Sequence, residues 1–215
     1  MKRFLAFFAV STLFGSALAQ ESRPTVEVPS YPNSTCPVMG KPVSLKLYVD
    51  TAYGRIYMCC AGCTKRIKAD PEAAYKAAYP KVEKAANTNC PITGEAIKKG
   101  SPTVLLQGKE IALCCEDCIE KAKGEAQATL AKALNGKLKD VGNSICPVTD
   151  KEVQTNVIAL VGESLVRLSS SDCVERLKED PARYLAKAKE SAAKDAKSKA
   201  EKKGSAAEKP GEARS

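Results

Sequence analysis

The sequence predicts an α+β chain of three tandem small modules, each a β-hairpin followed by one or two helices, with a basic, disordered C-terminal tail. Three observations carry that prediction. A Cys-Pro segment recurs at Cys36, Cys90 and Cys146, spaced about 55 residues apart, the scale of a small repeating unit. Behind each lie two short apolar runs split by a glycine turn. Each unit then closes on a cysteine, Cys63, Cys118 or Cys173, after which the pattern becomes helical.

In the first unit Leu45, Leu47 and Val49 alternate with polar residues, Tyr53-Gly54 supplies a turn, and Arg55 to Met58 returns toward Cys59. A period of two is what a half-buried hairpin requires. The second unit has Thr103 to Leu106, a turn at Gln107-Gly108, then Glu110 to Leu113. The third has Asn156 to Val161, Gly162-Glu163, then Ser164 to Leu168. No glycine or proline interrupts Thr64 to Asp70, so a short helix follows the closing cysteine. Asp70-Pro71-Glu72 then offers an N-cap, a proline at the first helical position and an early acid, and Asp180-Pro181 repeats the signal. Glu125 holds the equivalent place in the second unit. The units span residues 33–82, 87–137 and 143–190, after a linker at 20–32, and residues 191–215 form a Lys/Ala/Glu tail.

Residues 1–19 read as a secretory signal peptide: Lys2 and Arg3, an apolar run from Phe4 to Phe14, and an Ala17-Leu18-Ala19 cleavage site. The run is short of the roughly 20 apolar residues that span a bilayer. The mature chain is therefore expected to be exported, periplasmic or secreted, with no membrane span after cleavage. The formal net charge of +9 is spread among alternating acids and bases with few aromatics. That pattern fits a solvated surface, and no nucleic-acid partner is expected.

Histidine is absent and cysteine occurs ten times. Histidine-based metal sites and Cys-His or Ser-His catalysis are thereby excluded, and the chemistry left is that of sulfur. A cysteine opening a hairpin, one ending its second strand and one in the first helical turn can converge on one ion. The candidate metal ligands are Cys36, Cys59, Cys60 and Cys63 in the first unit, and Cys90, Cys114, Cys115 and Cys118 in the second. Adjacent residues of an extended strand face opposite ways, so three thiolates per site are expected rather than four. Thiolate-only ligation selects a soft ion, Zn(II) or Cu(I). Met39 and Met58 flank the first cluster, as core packing or as thioether ligands. Arg66, Lys121 and Arg176 each follow a closing cysteine by one helical turn, where they could offset thiolate charge or line an exposed face.

Cys-Pro-Val-Met-Gly, the glycine hairpin, Tyr57-Met58-Cys59-Cys60-Ala61-Gly62-Cys63 and Asp70-Pro71-Glu72 resemble the TRASH/YHS type of cysteine module. The family signature falls on Cys36, Cys59 and Cys63, and on Cys90, Cys114 and Cys118. The resemblance implies a treble-clef-like zinc-finger fold and a role in heavy-metal sensing, trafficking or resistance, with a metal-efflux or metal-delivery protein as partner. The third unit departs from the signature, with Ser169 and Ser170 where Cys59 and Cys60 align. Its surviving pair, Cys146 and Cys173, is a disulfide candidate, and that unit is expected to be structural.

Two other readings compete. Ten cysteines in an exported chain could form five disulfides, although the adjacent Cys59-Cys60 pair fits that poorly. Cys60-Ala61-Gly62-Cys63 could serve a thiol oxidoreductase, but the preceding hairpin is not the βαβ setting of such enzymes. No paired carboxylates on a recognisable scaffold, phosphate-cradling glycine loop or nucleophile elbow occurs. No enzymatic activity is expected.

Overall fold

The structure is a computed structural model that describes residues 23–206. The signal-peptide stretch and residues 207–215 lie outside the described residues. Within them the chain is α+β, with small sheets and six α-helices. No described helix is long and apolar enough to cross a membrane.

Module 1 pairs β2 (Ser44–Thr51) with β3 (Gly54–Met58) and continues through a 3-10 turn at Ala61–Cys63 into α1 (Thr64–Ala69) and α2 (Pro71–Ala78). β1 (Val26–Glu27) precedes it but pairs elsewhere. Module 2 pairs β5 (Thr103–Leu106) with β6 (Lys109–Ala112), followed by α3 (Asp117–Gly124) and α4 (Ala126–Leu134). Module 3 pairs β8 (Ile158–Val161) with β9 (Ser164–Arg167), followed by α5 (Cys173–Glu179) and α6 (Pro181–Ala206). One hairpin and two helices thus recur three times.

Local chemistry explains the joints. The Asp70 carboxylate accepts from Ala73 N–H at 2.9 Å and Asp180 from Arg183 N–H at 3.1 Å, so both aspartates cap helices that begin with proline. Glu125 makes no such cap and instead pairs with Arg167 at 2.7 Å. Gln107 and Gly108 both take positive φ, 47° and 75°, as a two-residue hairpin turn demands. In module 1 the turn falls on Ala52-Tyr53, one residue before the position expected from sequence, with Gly54 at φ 86° opening β3.

Two features depart from simple alternation. A bulge between Ser44 and Tyr48 breaks the β2–β3 register, and Leu45 is left 61% exposed while Val49 stays buried. The linkers also contribute strands: β4 (Glu83–Lys84) runs parallel to β6, and β7 (Lys139–Asp140) runs parallel to β9. β1 closes the chain by pairing with β8 of module 3.

Each module has its own core, centred on Ile56 and Ile67, on Leu106, Ile111 and Leu113, and on Val166, Leu168 and Leu177. A fourth cluster joins α4 residues Ala128 and Ala131 to Ile158 and Leu165, so modules 2 and 3 share a buried seam. Module 1 docks through polar groups. Arg55 N–H donates to Gln107 Oε1 at 3.2 Å, Gln107 Nε2 to the Tyr31 carbonyl at 2.8 Å, and Arg55 Nη2 to the Asn156 carbonyl at 3.1 Å. α6 continues through Ala206, so the boundary expected at residue 190 falls inside a helix. Alanine, lysine and glutamate are strong helix formers, and Asp195 accepts from Ser144 N–H and Oγ at 3.3 and 2.6 Å, tying the helix to module 3.

Candidate metal centre

Each site starts from a tight Cys-Pro loop. Cys36 N–H donates to the Lys41 carbonyl and the Cys36 carbonyl accepts from Gly40 N–H, both at 2.8 Å. The same pair of bonds closes Cys90 with Glu95 and Gly94, and Cys146 with Lys151 and Asp150. The fifth position is left-handed, at φ 64° in Gly40 and 81° in Gly94, and module 3 puts Asp150 there at 59°. Aspartate is one of the few other residues that tolerate that region.

An asparagine, buried in modules 1 and 3, clamps each loop to the second strand. Asn33 Nδ2 donates to the carbonyls of Thr35 and Tyr57 at 2.8 and 3.0 Å, while Tyr57 N–H donates to Asn33 Oδ1 at 2.8 Å. Asn143 repeats this with Ile145 and Arg167, and the less buried Asn87 with Asn89 and Ala112. One side chain thereby replaces a missing strand and fixes the opening cysteine beside the end of β3, β6 or β9. The repeated Asn was visible in the sequence, but its partners were not.

The third ligand position comes from the turn after the strand. The backbone is still extended at Cys60, at φ −155° and ψ 157°, and winds only from Ala61, yet the Cys60 sulfur turns back to within 3.5 Å of Cys63. Cys59 faces in, and Cys63 comes round to meet it. The sulfurs of Cys36, Cys59 and Cys63 lie within 4.8 Å of one another, as do those of Cys90, Cys114 and Cys118. Cys36 to Cys63 is 3.6 Å, Cys59 to Cys63 is 4.0 Å and Cys114 to Cys118 is 3.6 Å. Zn–S bonds of about 2.3 Å arranged tetrahedrally put sulfurs ~3.8 Å apart, so the triads have the right size for a thiolate-bound ion. Cys60 and Cys115 lie outside the triads, exposed, with their sulfurs 3.5 and 3.3 Å from Cys63 and Cys118. No disulfide joins any of the ten cysteines in this structure.

Electrostatics divides the sulfurs. Burial pushes the Cys36 thiol up, but the amides of Cys59, Val38 and Met39 and the Cys63 thiol outweigh it and bring the pKa down to about 7. Cys90 reaches about 7 in the same way, through the amides of Cys114, Thr93 and Ile92 and the Thr93 hydroxyl. Cys63 is pushed up to about 12 by burial and by its hydrogen bonds with three sulfur neighbours, and Cys118 is raised for the same reasons. The opening and closing cysteines of each triad are thus shifted in opposite directions. Arg66, Lys121 and Arg176 are exposed and none has an ion pair among the described residues, so backbone amides supply the stabilisation. Met58 is 3% exposed in the module 1 core, where its sulfur accepts from Thr64 Oγ1 at 3.5 Å, and Met39 is 53% exposed. Met58 is core packing.

Module 3 keeps the frame without the third sulfur. Ser169 Oγ and Thr149 Oγ1 are hydrogen-bonded at 2.8 Å, and Ser169 and Ser170 each lie 3.5 Å from Cys173. Cys146 and Cys173, both buried, are 3.7 Å apart. No family model, curated protein or solved structure matches this chain. Its two cysteine triads are consistent with a cysteine-rich metal-binding module.

Proposed function

We propose that this chain is an exported soft-metal-binding protein, a carrier, buffer or resistance factor for Cu(I), Zn(II) or a heavier soft ion, and not an enzyme. The observation that carries the reading is the pair of sulfur triads, Cys36–Cys59–Cys63 and Cys90–Cys114–Cys118, within bonding range of one cation each. Their all-sulfur donor sets favour soft ions over Mg(II) or Ca(II). The signal-peptide pattern of residues 1–19 supports export, and the TRASH/YHS-like residue pattern supports metal handling with an efflux or delivery protein as partner. Cys60 and Cys115 belong to the same clusters without completing the triads.

A second reading is favoured by module 3. Two buried sulfurs with hydroxyls in place of the third suit a disulfide staple between Cys146 and Cys173 better than an ion. Extended to every module, the same reading gives a disulfide-stapled structural or interaction protein. Elemental analysis and thiol titration of protein purified anaerobically from its own compartment separate the two. Metal binding predicts one soft ion per triad and thiols in modules 1 and 2 that react once the ion is chelated. Five disulfides without metal would establish the stapled protein instead.

A further inference from the structure

The sulfurs of module 2 form two triangles that share an edge. The inner one is Cys90, Cys114 and Cys118. The outer one is Cys114, Cys115 and Cys118, with sulfur separations of 3.8, 3.3 and 3.6 Å, each near the span of a thiolate-bound ion. In module 1 the Cys63 sulfur has the same two neighbours on that side, Cys60 at 3.5 Å and Cys59 at 4.0 Å. The far corners differ in access. Cys36 and Cys90 are 1% and 2% exposed, whereas Cys60 and Cys115 are exposed.

We propose that Cys60 and Cys115 are exchange ligands, through which a soft ion passes between an external thiolate and the inner triad. The proposal rests on the metal-binding reading and adds a role that equilibrium ligation alone does not require. An ion arriving on an external thiolate first bonds the Cys115 sulfur as its bond to that thiolate breaks, and settles on the outer triangle. It then pivots about the Cys114–Cys118 edge, forming a bond to Cys90 as the bond to Cys115 breaks. No electron is transferred. Each thiol that binds gives its proton to solvent, and each sulfur that leaves takes one up. Release runs the same steps backwards. The opening and closing cysteines are buried while Cys59 and Cys114 are half-buried, so the open side of each triad is the one flanked by Cys60 and Cys115, where an added sulfur lets the ion pass through a bridged intermediate.

Module 3 indicates that serine is accommodated at the outer corner, since Ser170 stands there on the same backbone frame. The test is therefore Cys60→Ser with Cys115→Ser in the full chain, loaded anaerobically with Cu(I) and mixed in stopped flow with a water-soluble phenanthroline-type chelator. The variant should load as many ions as the wild type at a similar equilibrium affinity, yet release them about tenfold or more slowly, an effect confined to rates. Equal release rates overturn the exchange role while leaving metal binding intact. Loss of ions from the variant also overturns it, by making Cys60 and Cys115 standing ligands. A wild-type chain that takes up no Cu(I) sinks the metal-binding reading itself, and the exchange role with it.

Discussion

In modules 1 and 2 the second hairpin strand leads into two cysteines, whereas in module 3 it leads into Ser169 and Ser170. The surrounding frame scarcely notices. The asparagine clamp, the Cys-Pro loop, the left-handed fifth residue and the closing cysteine at a helix start are all present in module 3. The Thr149–Ser169 hydrogen bond fills the place of a sulfur. Hydrogen bonds and the apolar cores therefore hold this architecture, and the sulfurs of the second strand are a separable set of ligands laid upon it.

The largest effect should come from converting one kind of module into the other. Ser169→Cys completes a triad in module 3, and the chain should bind one soft ion more than the wild type, counted by native mass spectrometry. An unchanged count would mean that the triads alone do not define a site. The clamp should matter equally to both kinds of module where it is buried. Asn143→Ala leaves two backbone carbonyls and one N–H without their partner and should cost about 2–3 kcal/mol in denaturant unfolding. Asn87→Ala, at a half-buried position, should cost about 1 kcal/mol.

A smaller effect tests the seam between modules 2 and 3. Burial pushes the Asp140 carboxyl up, but Arg167 and Lys132 outweigh it and hold it below the usual carboxylate range. A carboxyl lowered by folding lends stability that is complete above its unfolded pKa and is lost as pH falls through the folded one. Asp140→Asn should thus flatten the acid limb of stability and, because the pair is partly exposed, cost about 0.5–1 kcal/mol at neutral pH. The smallest effect compares the opening thiols. Burial raises Cys146, and the hydroxyls of Ser169 and Thr149 with the amides of Ser169 and Val148 bring it to about 7, as in the other modules. Ser169→Ala should raise the thiolate titration of module 3 alone, followed by ultraviolet absorbance of the metal-free chain.

The sequence made the repeats, the hairpins and the capped helices legible, because period-two alternation and Asp-Pro caps are local signals. It misplaced the module 1 turn by one residue and put Leu45 inside, since the Ser44/Tyr48 bulge depends on pairing rather than composition. The two-residue linker strands are too short to show a period, and the role of Asn33, Asn87 and Asn143 becomes visible only with their partners. The tie of the last helix through Asp195 to Ser144 is long-range and left no local signal. For the site, cysteine spacing was sufficient to bring the triads together. Adjacent strand residues were expected to face opposite ways, but the Cys60 and Cys115 sulfurs turn back toward Cys63 and Cys118, at 3.5 and 3.3 Å.

The most direct test is the metal count of the loaded full chain and three variants by native mass spectrometry under reducing conditions. The wild type should hold one ion in each of modules 1 and 2, Cys63→Ser should hold one fewer, and Cys63→Ser with Cys118→Ser should hold none. Cys146→Ser with Cys173→Ser should match the wild type. Ions retained after both closing cysteines are replaced, or lost when only the module 3 pair is changed, would contradict the assignment of binding to the two triads.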